Sequence, residues 1–173
     1  MHYNGLYNMM NEIFVPEHWQ NICQTVKEIS LKNFFPFIKD KSTRSKLMSK
    51  LFETQSAEYF NSIGIKTICC ENDMDPDLLF TDTNEVCEIK VTSSQKQEWM
   101  GGKLSKRSAE YILISWEHIQ EHDTLFGTVP ENIEFSVINV YIDQSEWNTL
   151  GDNYYGTKIT SKTLEGKTVK VLV

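Results

Sequence analysis

The stretch DPDLLFTDTNEVCEIKV, residues 75–91, constrains this chain more than any other. Two short apolar and β-branched runs, DLLF and EVCEIKV, flank the polar TDTN, the pattern of two strands joined by a tight turn. Side chains alternate along a strand. Cys87, Ile89 and Val91 therefore point to one face, and Val86, Glu88 and Lys90 to the other. Burying Glu88 and Lys90 unpaired is strongly unfavourable, so they must pair or face a polar cleft. If the strands pair across 81–84, Asp77 comes near Glu88 at the end of the sheet. Two carboxylates that close repel unless a divalent cation lies between them. Mg²⁺ takes such oxygens at about 2.0–2.1 Å, often with a backbone carbonyl and several waters. A lysine beside the ion can orient or activate a water, or stabilise a pentavalent phosphate. The residues alone leave two readings open: a metal site for phosphodiester hydrolysis, and a salt bridge from Lys90 to Glu88 or Asp77 at a sheet edge.

The rest of the chain supplies a frame for these strands. At 173 residues, one domain with a sizeable core is expected. VPEHWQNICQTVKEIS (15–30) reads as a helix with Pro16 in its first turn, ended by NFFPF (33–37). A second helix spans 42–64, capped by Ser42 or Thr43 and stopped at Gly64, with an apolar arc that includes Leu47, Met48, Leu51, Phe52, Tyr59, Phe60 and Ile63. Strands are expected at 65–71, 77–80, 85–91, 111–116 and 134–142, a short Asp-capped helix at 143–151, and a closing hairpin over 158–173 that turns at Glu165-Gly166. The segment 93–110 is polar, basic and interrupted by Gly101-Gly102, and reads as helix-like. This order gives the α/β class, a mixed sheet flanked by helices.

Charge and cysteine usage narrow the partners. The net charge is −7, yet residues 39–50 carry +4 and residues 90–107 another +4, leaving −15 on the rest. A basic face on an acidic body suits a protein that grips phosphates on one side; solvated helix faces would give the same count. Cys23, Cys69, Cys70 and Cys87 form no C-x-x-C pair and read as reduced thiols of a cytoplasmic protein. No apolar run reaches the length of a membrane span, and MHYNGLYNMMNEIF lacks the basic-then-apolar order of a secretory leader.

Pro76-Asp77, ten intervening residues, and then Glu88-Ile89-Lys90 resemble the signature of the PD-(D/E)xK nuclease superfamily, the restriction-endonuclease-like fold. The resemblance covers residues 44–116, which would be the catalytic core, with 1–40 a helical N-terminal extension of the same domain. It implies that Asp77 and Glu88 ligate Mg²⁺ (Mn²⁺ as substitute), with the carbonyl of Ile89 as a further ligand, and that Lys90 is the catalytic lysine. The family carries a glutamate on the preceding helix. Periodicity does not separate Glu53 from Glu58; the family's spacing favours Glu53, with Glu58 as second choice. The products would be a 5′-phosphate and a 3′-hydroxyl. The stretch after Lys90 resembles, more loosely, the same region of type II restriction endonucleases, which implies a homodimer on double-stranded DNA, with Ser93, Ser94, Lys96, Lys103, Lys106 and Arg107 as DNA contacts. Trp99 and Gly101-Gly102 would let the backbone approach closely; the competing expectation is an amphipathic helix with Trp99 in the core. A repair, recombination or phage nuclease of the same fold and a non-catalytic DNA-binding relative remain as alternatives.

HIQEH (118–122) fits the inverted zinc-protease pattern, which needs both histidines one turn apart on a helix. Its polar setting and the short remaining chain favour two exposed histidines on a short helix instead. Cys69 and Cys70, adjacent on a strand, point to opposite faces and make a poor metal pair.

Overall fold

A computed structural model describes residues 6–72, 75–93, 97–102, 107–125, 127–149 and 156–173. The chain begins with α1 (Leu6–Ile13) and α2 (Pro16–Ile29), followed by a π-helical turn, Ser30–Phe34. Pro16 opens α2, where its missing N–H costs nothing. Then α3 (Lys41–Ser62) begins at Asp40, not at Ser42 or Thr43: the Asp40 carboxylate accepts from the Thr43 amide at 2.7 Å. Gly64, at φ +90°, ends the helical run in the left-handed region open to glycine. The Asn61 side chain brackets Thr67, donating to its carbonyl at 2.7 Å and accepting from its amide at 2.9 Å, and so aims the chain into the first strand.

Among the described residues nine strands follow: β1 (Thr67–Cys69), β2 (Leu78–Phe80), β3 (Glu85–Thr92), β4 (Trp99–Gly102), β5 (Ala109–Thr124), β6 (Gly127–Ile142), β7 (Asn148–Thr149), β8 (Gly156–Ile159) and β9 (Lys170–Val171), with a one-turn helix α4 (Ser161–Leu164) between the last two. The main sheet has the order β1-β2-β3-β5-β6-β9, and β4-β8-β7 form a second sheet. In the main sheet β3 and β5 run parallel, Glu88 facing Tyr111 and Lys90 facing Leu113; its other pairings are antiparallel. This is the mixed α/β architecture expected.

The sheet is buried on both faces, by different partners. On one face α2 and α3 cover Phe80, Cys87, Ile89, Ile112, Ile114 and Val137 with Trp19, Phe52 and Phe60. On the other, Trp99, Trp147 and Ile159 lie against Tyr111, Leu113, Val140 and Ile142. Each fully buried aromatic contributes about 1.5–3 kcal/mol. The alternation read in EVCEIKV holds, with Cys87 and Ile89 in the helical-side cluster and Val86 against the other.

Four local expectations are corrected. The stretch after Lys90 contains a strand, β4, rather than a helix, and Trp99 is core: its indole N–H donates to the Ile114 carbonyl at 2.9 Å and ties the second sheet to the first. HIQEH lies inside β5, so His118 and His122 are four residues apart on a strand, well beyond sharing one ion. His118 Nδ1 instead meets Glu121 Oε1 at 2.5 Å. The helix at 143–151 is a single 3₁₀ turn, Gln144–Glu146, with the expected Asp143 cap, and gives way to β7. The C-terminal hairpin does not form, because β8 joins β4 in the second sheet and β9 joins β6 in the first.

The cysteines are free thiols; Cys23 and Cys87 are buried and Cys69 and Cys70 half-buried. Burial pushes Cys23 up to about 12. No helix among the described residues is long and apolar enough to cross a membrane.

Candidate active site

The β2–β3 pairing sets Leu78 opposite Cys87, which places Asp77, one residue before β2, opposite Glu88. Asp77 is held there from both sides. Its carbonyl accepts from the Cys70 amide at 3.3 Å, and its Oδ2 accepts from the Ile89 amide at 2.7 Å. The amide and carbonyl of a strand residue face the same neighbour. The Ile89 carbonyl therefore faces the side on which β2 has already ended.

Lys90 lies two residues beyond Glu88 on the same face. Its ammonium donates to Asp77 Oδ2 at 2.9 Å and to Glu88 Oε2 at 3.0 Å. The Glu88 side chain is 1% exposed and that of Lys90 12%. Arg107 closes the outer side of Glu88, with its Nε 2.6 Å from Oε1; the contact is ionic, its angle lying outside hydrogen-bond geometry. Burial raises the Glu88 carboxyl to about 7; Asp77 adds to the rise, and Lys90 and Arg107 oppose it. For Lys90, burial alone would favour the neutral amine. The carboxylates of Asp77 and Glu88 outweigh it, and the group stays an ammonium.

Glu53 reaches this site from α3. Its carboxyl is raised first by burial and then by the charge of Asp77, and the ammonium of Lys50, 2.9 Å away, opposes the rise. Glu58 is exposed and accepts from Gln55 at 2.9 Å. The geometry thus separates the two glutamates that periodicity did not.

The expected DNA contacts divide. Ser94, Lys96, Lys103 and Lys106 lie outside the described residues. Ser93 accepts from Ser45 of α3 at 3.3 Å and lines a cavity of about 220 Å³ with Lys41 and Glu117. Arg107 is engaged with Glu88. The basic face is also thinner than the count of 39–50 suggests. Arg44 is buried, donates to the carbonyls of Phe35 and Ile38, and stacks 4.8 Å over the Phe35 ring. Lys39, Lys41, Lys46 and Lys50 of that segment are exposed. Sequence reasoning did not foresee Arg107 beside Glu88, which depends on strand register, or Lys50 beside Glu53, which the i,i+3 spacing on the expected helix did signal.

Among the described residues no group of three or more His, Cys, Asp and Glu side chains forms a cage for a metal. What the site does offer is hard oxygen: two opposed carboxylates, the Ile89 carbonyl at the open edge, and a buried Glu88 Oε1 that makes no hydrogen bond. That donor set fits Mg²⁺, which binds few protein oxygens and keeps waters. Searches against protein-family models and against curated proteins return no match to this chain.

Proposed function

We propose that this chain is a Mg²⁺-dependent endonuclease of the PD-(D/E)xK type with the restriction-endonuclease-like fold, cutting double-stranded DNA as a homodimeric, sequence-specific type II restriction enzyme. The observation that carries the reading is the convergence of Asp77 and Glu88 on the Lys90 ammonium, at 2.9 and 3.0 Å, at the point where β2 ends. Asp77 and Glu88, with the Ile89 carbonyl, would hold the ion. When bound, Mg²⁺ supplies Lewis-acid polarisation of the phosphate and a more acidic water. Lys90 is charged, so it serves as a cation for the phosphate as it becomes pentavalent rather than as a base. Glu53, raised by burial, is the better proton acceptor and takes the proton of the attacking water. Attack at phosphorus breaks the bond to the 3′ oxygen and leaves a 5′-phosphate and a 3′-hydroxyl.

The test is a plasmid digest with and without Mg²⁺, comparing the wild type with Lys90→Ala. Discrete bands that need both magnesium and Lys90 are expected. Nicking or a smear that needs both would move the assignment to a structure-directed nuclease. A second reading, a non-catalytic DNA-binding relative, is favoured by the fact that Asp77, Glu88, Lys90 and Arg107 already balance one another as two anions and two cations. It requires duplex binding without cleavage by the intact protein on every DNA tried.

A further inference from the structure

Arg107 is held differently at its two ends. Its backbone is fixed: the Tyr111 hydroxyl donates to its carbonyl at 2.8 Å, and the neighbouring Ser108 hydroxyl donates to Asp143 at 2.8 Å. Tyr111 is itself the residue paired with Glu88 across β3 and β5, with the Trp147 ring packed edge-on to it at 5.5 Å. The guanidinium reaches Glu88 from the solvent side, its side chain 24% exposed against 1% for the carboxylate. Lys90, in contrast, rises from the same strand as Glu88 and is bonded to both acids.

The charge balance gives this arrangement a consequence. With Asp77, Glu88, Lys90 and Arg107 the site is neutral. A divalent ion placed between the acids leaves an excess of two positive charges beside a buried carboxylate, which low-dielectric surroundings make costly. Arg107 is the cation with a route outward. Its planar fork suits a phosphate, which brings the negative charge the filled site lacks.

We propose that Arg107 is the displaceable counter-ion of this site: it neutralises Glu88 when no divalent ion is bound, and passes its guanidinium to a DNA phosphate when one is. This rests on the nuclease reading above and adds to it that metal and DNA bind cooperatively, each removing an obstacle to the other. Arg107 then acts on the backbone phosphate and does not read a base.

The experiment uses the full chain and Mn²⁺ alone as probe, by calorimetry and thermal shift without DNA, for wild type, Arg107→Gln and Asp77→Asn. At a pH well above the value of about 7 for Glu88, where loss of Arg107 does not leave the ligand protonated, Arg107→Gln is expected to bind Mn²⁺ more tightly than wild type, since no guanidinium has to leave the carboxylate before the ion enters. Asp77→Asn is expected to abolish the binding. With duplex present and Ca²⁺ as the ion, wild type gains DNA affinity and Arg107→Gln gains less. Mn²⁺ affinity in Arg107→Gln equal to or below that of wild type overturns the proposal while leaving the nuclease reading standing. Absence of Asp77-dependent Mn²⁺ binding in wild type, with or without duplex, removes both. If Arg107→Gln does not fold, Arg107→Lys takes its place. Its compact ammonium pairs less well with the carboxylate, so an intermediate gain is expected and an unchanged affinity overturns the proposal.

Discussion

Replacing Lys90 with methionine keeps the stem and deletes the charge, leaving Asp77 and Glu88 opposed. Removing one partner of a buried ion pair costs about 3–5 kcal/mol. Arg107 stays 2.6 Å from Glu88, so the lower end, about 3 kcal/mol at about pH 8, is expected. The loss must depend on pH. The Glu88 carboxyl is raised by burial to about 7 in the folded protein, against an ordinary value near 4.5. A raised group contributes stability that is full below the unfolded value and is lost as pH climbs through the folded one. Deleting Lys90 removes a charge that opposes the rise and lifts Glu88 further. The deficit therefore grows as pH climbs above about 7, where Glu88 of the wild type ionises and that of the variant keeps its proton. Near about pH 5 Glu88 is protonated in both proteins, and only the mostly buried pairing with Asp77 is lost, a smaller deficit. Urea titration reads this directly: at a slope of about 2 kcal/mol/M the midpoint falls by about 1.5 M at the higher pH and by less at the lower. Added Mg²⁺ is expected to restore the variant more than it stabilises the wild type, because it replaces the missing cation. A loss equal at both pH values would mean that Lys90 acts through packing, and the electrostatic account of the site would fall.

Glu53→Gln is expected to slow cleavage by about 100-fold with binding retained, as for loss of a proton acceptor, whereas the exposed Glu58→Gln stays near wild type; single-turnover rates on a cleaved duplex separate them. Asp77→Asn is expected to reduce cleavage by about 100-fold or more and to lose metal-induced stabilisation, read by the same rates and by thermal shift. Mn²⁺ affinity should fall by about tenfold per unit as pH drops below about 7, because Glu88 must lose its proton to become a ligand; calorimetry across that range checks the slope. Arg44→Leu should destabilise by about 2–3 kcal/mol in urea, because it strips charged donors from the Phe35 and Ile38 carbonyls, while leaving the salt dependence of DNA binding unchanged.

The part of this site readable from sequence was the part governed by strand alternation. EVCEIKV sorted its own faces, and the tight turn at 81–84 brought Asp77 opposite Glu88, because both rules act over a few residues. Four features escaped because their cause is distant in sequence. The second sheet joins Trp99–Gly102, whose glycines announced no strand, to Gly156–Ile159, whose strand was expected in part but with a different partner. HIQEH looked helical by spacing, but β5 runs straight through it with no breaker after Trp116 and with β6 paired alongside. Gly166 carried a turn signal that was real, at φ +74°, but the flanking strands it seemed to join belong to different sheets. The partnership of Arg107 with Glu88 depends on the parallel register of β3 with β5, for which a single sequence holds no local sign.

That parallel junction has a consequence for how such a protein can change. A chain that leaves β3 at Thr92 and enters β5 at Ala109 alongside it must travel back along the strands, and Trp99 shows that it does so on the face bearing Glu88 and Lys90. Of the described residues on that return, Trp99 packs against the sheet and Arg107 meets Glu88, yet none belongs to the acid–lysine motif. Lengthening a connection is inexpensive, about 0.6 kcal/mol for each doubling. Insertions between Thr92 and Trp99 therefore leave the hairpin holding Asp77, Glu88 and Lys90 in its register, because that pairing is made entirely before Thr92.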